Sequence, residues 1–435
     1  MSATALRYIA ASAPRSAQVH LLASGGARHV FLADGSRLFD AEPALFDELD
    51  AAIDRGSVDQ LLARLGLSGD PFIDDRPVEA PSLHALSLAI AQACNLGCSY
   101  CYAQQGHFGG VAKNMTQDTA DRAVDLLVEG APPGARLNLA FLGGEPLVNR
   151  LVLQAVTRRA AGLAAARGLT MTFSITTNGT LLSEADGDFF EQFGFAVTVS
   201  LDGPRDVHDS LRMYKGGTGS FERIMANTRP LLSRQRRMQV STRVTVTPGN
   251  LDLRRTLDEF IDAGFHSVGF SPMLTAPGGT GEMQPRDLEI MLEALIACGH
   301  EFERRSRAGE RYPFANMVNA MREIARGTHR PYPCGAGAGY LGVSADGELS
   351  ACHRFVGDPN GAMGSLETGL DHGRQSAWLM DRHVHRQEPC RSCWARYLCG
   401  GGCHHEVIRR GRPACDFIRG WLHYCLEAYL RIQGR

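Results

Sequence analysis

Three cysteines, Cys94, Cys98 and Cys101, stand within eight residues in the segment ACNLGCSYCYAQQG, and no other stretch constrains this chain so strongly. A loop that short brings three thiolates around one centre. Thiolates are soft ligands suited to zinc or to iron–sulfur clusters, and three of them leave one metal position open. The chain has twelve cysteines, of which eight more fall between Cys334 and Cys425 and only Cys298 stands alone, in LEALIACGHEF at helical spacing, as a small core residue does. The opening MSATALRYIAASAPRS lacks a basic stretch followed by an apolar core, and no apolar run approaches the ~18 residues of a membrane span. A cytoplasmic, reducing compartment is therefore expected, where clustered cysteines bind metal rather than pair as disulfides. A net charge of −2 gives no case for a nucleic-acid or anionic-membrane partner.

The 435 residues suit about three domains. In residues 1–80, the runs Val19 to Leu22, His29 to Leu32 and Ser36 to Phe39 read as strands separated by Gly-Gly and Asp-Gly turns. Glu42 to Ile53 and Val58 to Leu65 read as helices, and SGDPFIDDRPVEAPS reads as a linker. From residue 84 to about 310, six strand-like runs alternate with helix-like ones, beginning LSLAIAQ and TQDTADRAVDLLVEG. Six such pairs predict an α/β fold with a parallel sheet and right-handed crossovers, open or curled into a barrel, with its chemistry at the C-terminal strand ends. Residues 328–435 are Gly- and Cys-rich loops with a helical tail, and metal ligation is expected there in place of a large core.

The first cysteine group, with Tyr100 before its last thiol, resembles the signature of the radical S-adenosylmethionine (SAM) superfamily. The resemblance implies a partial (β/α)6 TIM-like barrel. It also implies that Cys94, Cys98 and Cys101 hold a [4Fe–4S] cluster whose open iron binds SAM, which one electron cleaves to methionine and a 5′-deoxyadenosyl radical. Gly143-Gly144-Glu145-Pro146 then matches the loop that receives the SAM ammonium group. Ser174 and Arg212 match residues that contact the carboxylate and ribose end, and an Arg grips a carboxylate with two parallel hydrogen bonds.

The later group reads Cys334, Gly347-x4-Cys352, Cys390-x2-Cys393-x5-Cys399-x3-Cys403, Cys415 and Cys425. Zinc knuckles share such spacing, but the whole pattern resembles the SPASM extension of radical SAM enzymes, which implies two auxiliary [4Fe–4S] clusters. Interleaved as in that family, Cys390, Cys393, Cys399 and Cys415 bind one, and Cys334, Cys352 and Cys403 the other. Cys425, or an iron left open for a substrate thiolate, completes the second. Sulfatase-maturing relatives have a further cysteine just upstream of Cys334, where this chain has Arg330-Pro331-Tyr332-Pro333.

The runs CRSCWARYLCGGGCHHEV and CDFIRGWLHYCLEAYL most resemble the quinohemoprotein amine dehydrogenase maturation proteins. That implies a peptide maturase forming thioether cross-links in a precursor peptide or small protein subunit, with a flavodoxin- or ferredoxin-type electron donor. The alternatives are an anaerobic sulfatase maturase making formylglycine, a maturase forming carbon–carbon bonds or epimerising residues, and a zinc-bound scaffold without catalysis. The N-terminal unit is expected either to grip a leader peptide as an added strand or to cap the barrel. No catalytic base is assigned among His107, His208 and His353.

Overall fold

The computed structural model describes residues 3–79 and 81–434, so Met1, Ser2 and Ala80, and with them both ends of the expected 1–80 unit, lie outside the described residues. That unit comprises α1 (Ala3–Ala11), β1 (Val19–Ser24), β2 (Ala27–Leu32), β3 (Arg37–Asp40), α2 (Pro43–Asp54) and α3 (Val58–Arg64). The strands form an antiparallel sheet in the order β1-β2-β3. Gly25 and Gly26, at φ 60° and 86°, make the tight turn whose twist matches a β hairpin. Val30, Leu32, Leu49 and Leu61 form the unit's own small core. The sequence pattern does not announce α1. Nine residues are too few for a helix stable alone, and Ala5 and Tyr8 owe their burial to the C-terminal helix described below.

The central region runs β4 (Ala85–Gln92), a two-residue β5 (Lys113–Asn114), α4 (Gln117–Glu129), β6 (Arg136–Gly143), α5 (Arg150–Ala166), β7 (Thr170–Thr177), α6 (Glu184–Phe193), β8 (Ala196–Ser200), α7 (Arg205–Leu211), α8 (Phe221–Leu232), β9 (Gln239–Val246), α9 (Leu253–Asp262), β10 (Val268–Pro272) and α10 (Pro285–Arg307). Local chemistry sets the boundaries. Thr116 caps α4, Ser183 and Asp186 form a capping box on α6, and Gly194 ends α6 in the left-handed region. The parallel strands lie in the order β4-β6-β7-β8-β9-β10, each next to its predecessor, as expected for successive β/α units.

Burial alternates clearly along β9, whereas β4 is buried almost throughout. On β9, Val240, Thr242, Val244 and Val246 are buried against the helices, while Gln239, Ser241, Arg243 and Thr245 face an accessible interior. Arg243 lies within charge-interaction range of His353, which follows a strand on the far side of the sheet, so the sheet is curled. No β10–β4 pairing occurs among the described residues. The barrel is therefore partial.

The cysteine-rich region is more structured than its sequence suggests. After α11 (Ala315–Ala325) come β11 (Tyr340–Val343), β12 (Glu348–Ser350), β13 (Ala362–Ser365), β14 (Gly369–Leu370), α12 (His372–Arg382), α13 (Arg396–Cys399), α14 (His404–Arg410) and α15 (Cys415–Gln433). β11 pairs parallel to β4, with Tyr340 opposite Ala85, and β12 to β14 continue antiparallel, so one sheet spans the central and C-terminal regions. The expectation of little buried apolar surface here is corrected: Leu341, Phe355, Trp394, Tyr424 and Leu426 are all buried in the main core. These residues are sparse in sequence, and the core they complete belongs mostly to the barrel. α15 packs on α1, α10 and α11, and His20 of β1 stacks on Trp394 at 3.8 Å between centroids.

Candidate active site

The segment leaving β4 carries Cys94, Cys98 and Cys101 at the C-terminal mouth of the barrel. Cys98 is within electrostatic range of both other thiols. Two donors aim at the Cys94 sulfur, the Leu96 amide at 3.4 Å and the Asn178 side-chain amide at 3.6 Å. Burial pushes the Cys98 thiol up to about 11 and that of Cys94 in the same direction. Such thiols stay protonated until a metal displaces the proton.

Tyr100 is buried between this group and β8. Its hydroxyl donates to the Asp202 carboxylate and accepts from Arg212 Nη1 at 2.6 Å. Arg212 Nη1 also lies 3.6 Å from Asp202 Oδ2, and Asp202 is itself held by the Thr245 amide at 3.0 Å. The Arg212 guanidinium thus stays charged beside Cys98, with its Nε buried and without a partner among the described residues. An anion is the natural complement for that orphaned donor.

The Gly143–Pro146 loop lies directly against the exit of β4. The Gly144 amide donates to Ala91 O at 2.7 Å and the Glu145 amide to Ala93 O at 2.8 Å. Gly143 has φ 140°, and a Cβ on either glycine would collide with those carbonyls. The fully buried Glu145 carboxylate accepts from Leu147 N, Thr177 Oγ1 and Asn178 N at 2.7–3.1 Å. Burial raises its pKa while these bonds oppose the rise. Two oxygens offer about four lone-pair directions, so one further donor, such as an ammonium group, can still be received. Ser174 is set lower in the barrel, 3.5 Å from Asn138 Oδ1, and no described bond joins it to Arg212 or Tyr100.

The C-terminal thiols separate into two groups. Cys390 is within electrostatic range of Cys393, Cys399 and Cys415, and all four line one cavity of about 60 Å³ whose wall Cys403 also reaches. A single water takes roughly 10–15 Å³ on that measure, so the space suits a group of several atoms better than one ion. Cys352 is in range of Cys334 and Cys403, and Arg354 Nη1 approaches Cys403 Sγ at 4.0 Å. Tyr102 is within range of both Cys101 and Cys352, so this three-thiol group and the first one face each other across its ring. Cys425 does not join them. It is fully buried on α15 with Met317 Sδ at 4.0 Å, and Glu303 is a charged group within its range. The reason is periodicity: Cys425 lies ten residues into a 19-residue helix, on the face turned to α10 and α11. Cys298 is likewise buried on α10.

Asp202 and Asn178 were not singled out from sequence. Both follow strand-like runs, in SLDGP and TTNGT, where an α/β barrel places its working groups, and that position is the signal that could have found them. The donor sets suit iron–sulfur ligation: groups made only of thiols, amide or guanidinium donors directed at two of the sulfurs, and a cavity lined by five thiols.

The family model of the radical SAM superfamily matches residues 88–261. The serine-type anaerobic sulfatase-maturating enzyme of Klebsiella aerogenes is 24% identical over 340 residues, covering 75% of this chain and 81% of the relative. The cysteine-type enzyme of Clostridium novyi is 24% identical over 349 residues, covering 74% and 89%. Among solved structures, native anSMEcpe with bound AdoMet is similar over 81% of this chain and 98% of that one, with TM-score 0.66 and 19% identity. Streptococcus suis SuiB is similar over 92% and 97%, with TM-score 0.54 and 14% identity. With its curled sheet and these likenesses, the chain carries a radical SAM domain over residues 88–261, and its fold is similar to those of anSMEcpe and SuiB.

Proposed function

We propose that the protein is a maturase that modifies a polypeptide at a side-chain carbon. In this reading Cys94, Cys98 and Cys101 hold the SAM-binding cluster, Cys390, Cys393, Cys399 and Cys415 hold one auxiliary cluster, and Cys334, Cys352 and Cys403 hold the other. The observation that carries the reading is the arrangement of a first thiol group and a three-thiol group on either side of Tyr102 at the mouth of a curled sheet. Bound SAM, reduced at its cluster, supplies a carbon radical able to take hydrogen from an unactivated side chain.

The chain's own residues hold and orient. Glu145 receives the SAM ammonium group, and Arg212 grips its carboxylate through the Nε left without a partner. Tyr100 and Asp202 fix the guanidinium in place, since a buried Arg that both groups bind cannot swing away. Asn178 and Leu96 donate to Cys94 and stabilise its thiolate. Aromatic and aliphatic groups at the mouth, including Tyr102 and Met273, keep water from the reacting carbon.

Two chemistries fit this frame. Conversion of a Cys or Ser to formylglycine is supported by the curated relatives, which are sulfatase-maturating enzymes. Thioether formation is favoured by one specific observation: Cys352 is in electrostatic range of Cys334 and Cys403, whereas Cys425, the fourth ligand the spacing offers, is held in the helix core. A site of three thiolates can take a substrate thiolate as its fourth ligand. An electron donor of the flavodoxin or ferredoxin type completes either reading.

The reduced holoenzyme should be incubated with SAM and two candidate substrates, a sulfatase fragment bearing the target Cys and a small Cys-rich polypeptide. A carbonyl trapped by a hydrazide identifies formylglycine. Loss of two hydrogens together with loss of an alkylatable thiol identifies the thioether. Absence of SAM cleavage under reduction sinks the radical reading altogether.

A further inference from the structure

The cysteine-rich region contains a mostly buried ion pair, Arg354 with Glu406, whose Nη1 and Oε1 lie 2.7 Å apart with side chains 19% and 16% exposed. Arg354 follows Cys352 by two residues, and its backbone amide donates to the Cys352 sulfur. Its Nη1 also approaches Cys403 Sγ at 4.0 Å. One residue therefore serves two of the three thiols, the first by main chain and the second by side chain. The Arg354 Cζ lies 5.2 Å from the centre of the Tyr102 ring, on whose other side the first thiol group stands. Glu406 is in the first turn of α14, three residues after Cys403, so sulfur and carboxylate meet the same guanidinium. It also lines the cavity of Cys390, Cys393, Cys399 and Cys415.

Charges shielded from water act strongly at such distances. A cation or an N–H donor beside a sulfur stabilises the more negative, reduced form of an iron–sulfur group and raises its potential, and an anion does the reverse. Arg330 is also within range of Cys334, but it is 40% exposed and tied to Glu323 at 3.0 Å, so solvent screens it. The Arg354 Nε is buried and without a partner among the described residues. Among thiols, the sulfide of a cluster is the acceptor that completes such a donor.

Each chemistry of the maturase reading takes two electrons and two protons from the polypeptide. One hydrogen atom leaves to the SAM-derived radical; the carbon radical left behind then gives up one electron while the substrate thiol or hydroxyl loses a proton. An oxidised [4Fe–4S] group is the class of acceptor for that electron, and its potential decides how readily the electron is taken. We propose that the Arg354–Glu406 pair sets the potential of the three-thiol site: Arg354 raises it, and Glu406 fixes the fork and limits the rise. This rests on the maturase reading, specifically on a cluster held by Cys334, Cys352 and Cys403.

The test uses the full chain with Cys94, Cys98 and Cys101 replaced by Ala and reconstituted anaerobically, so that only the later sites report. About eight iron and about eight sulfide per chain show both sites filled, whereas about four of each fails the cluster reading itself and takes the proposal with it. In a redox titration followed by electron paramagnetic resonance, the signal lost on Cys352→Ala belongs to the three-thiol site. Arg354→Gln should move its midpoint to more negative potential by about 59 mV or more, a tenfold change in a one-electron equilibrium. Arg354→Lys, which keeps the charge, should move it less. Glu406→Gln keeps an acceptor for the fork but removes the anion, and should move the midpoint in the positive direction. A purely structural pair predicts instead a loss of iron in the variants or shifts of one sign in both. Either result, or midpoints equal to that of the parent, would overturn the proposal.

Discussion

At the scale of single residues, the site is built from donors aimed at sulfur and from carboxylates aimed at cations. The amide of Asn178 points at the Cys94 sulfur, and a hydrogen bond to a thiolate stabilises the more negative, reduced state of a cluster. Replacing it as Asn178→Leu should shift the potential of the SAM-binding cluster to more negative values in an electron paramagnetic resonance titration. Cys425 has the opposite character. It is a core thiol, so Cys425→Ala should leave iron and sulfide content unchanged and lower the unfolding free energy by about 1 kcal/mol. A drop in iron content would return this thiol to the ligand set. His208 supplies a pH signature. It is buried, its Nδ1 accepts the Asp202 amide at 3.3 Å, and burial lowers its pKa from 6.5 to about 3. The folded protein therefore keeps it neutral, while the unfolded chain takes up a proton below about pH 6.5. Its stabilisation is complete above that pH and declines as pH falls toward the folded value. Chemical denaturation between about pH 6.5 and 4 should fall more steeply in the wild type than in His208→Gln, by about 1.4 kcal/mol per pH unit.

At the scale of elements, close helix contacts decide how the C-terminal region holds to the barrel. Gly299 on α10 lies under the Tyr424 ring of α15, where an added Cβ would overlap the phenol. Tyr424 in turn donates to Glu303 at 2.7 Å, and Arg431 pairs with the same carboxylate at 2.9 Å. Gly299→Ala should force the ring out and cost about 2 kcal/mol, read as a lowered melting temperature. The β/α units were legible because their periods are unambiguous, two along Leu137, Leu139 and Phe141 and near 3.6 along Ala120, Ala123, Val124 and Leu127. The cysteine spacings were legible because short loops leave few ways to arrange thiols. What escaped was set by distant partners. The nine-residue α1 owes its place to α15, β11 to the open edge of β4, and Arg212's orientation to Tyr100 and Asp202. The sequence resemblance likewise grouped Cys425 with the ligands, because spacing along a chain does not report which face of a helix a thiol occupies.

At the scale of the whole molecule, one sheet joins barrel and cysteine-rich region, and the N-terminal unit is clasped to both. Trp394 donates to Ser12 O at 2.9 Å, and His20 Nε2 meets His423 Nδ1 at 2.7 Å. That continuity holds the thiol groups in fixed relation, two facing across Tyr102 and the third around a cavity that Cys403 also lines. Among the described residues no helix is long and apolar enough to cross a membrane. Removing residues 3–64 should therefore expose Trp394 and α15 and lower the melting temperature, in addition to any loss of polypeptide binding. The central claim is that ten thiols form three separate cluster sites. Anaerobic reconstitution followed by iron and acid-labile sulfide analysis tests it most directly. About twelve of each per chain, falling to about eight when Cys94, Cys98 and Cys101 are all replaced by Ala, is the expected result. About four of each in the wild type, or zinc in place of iron, would contradict it.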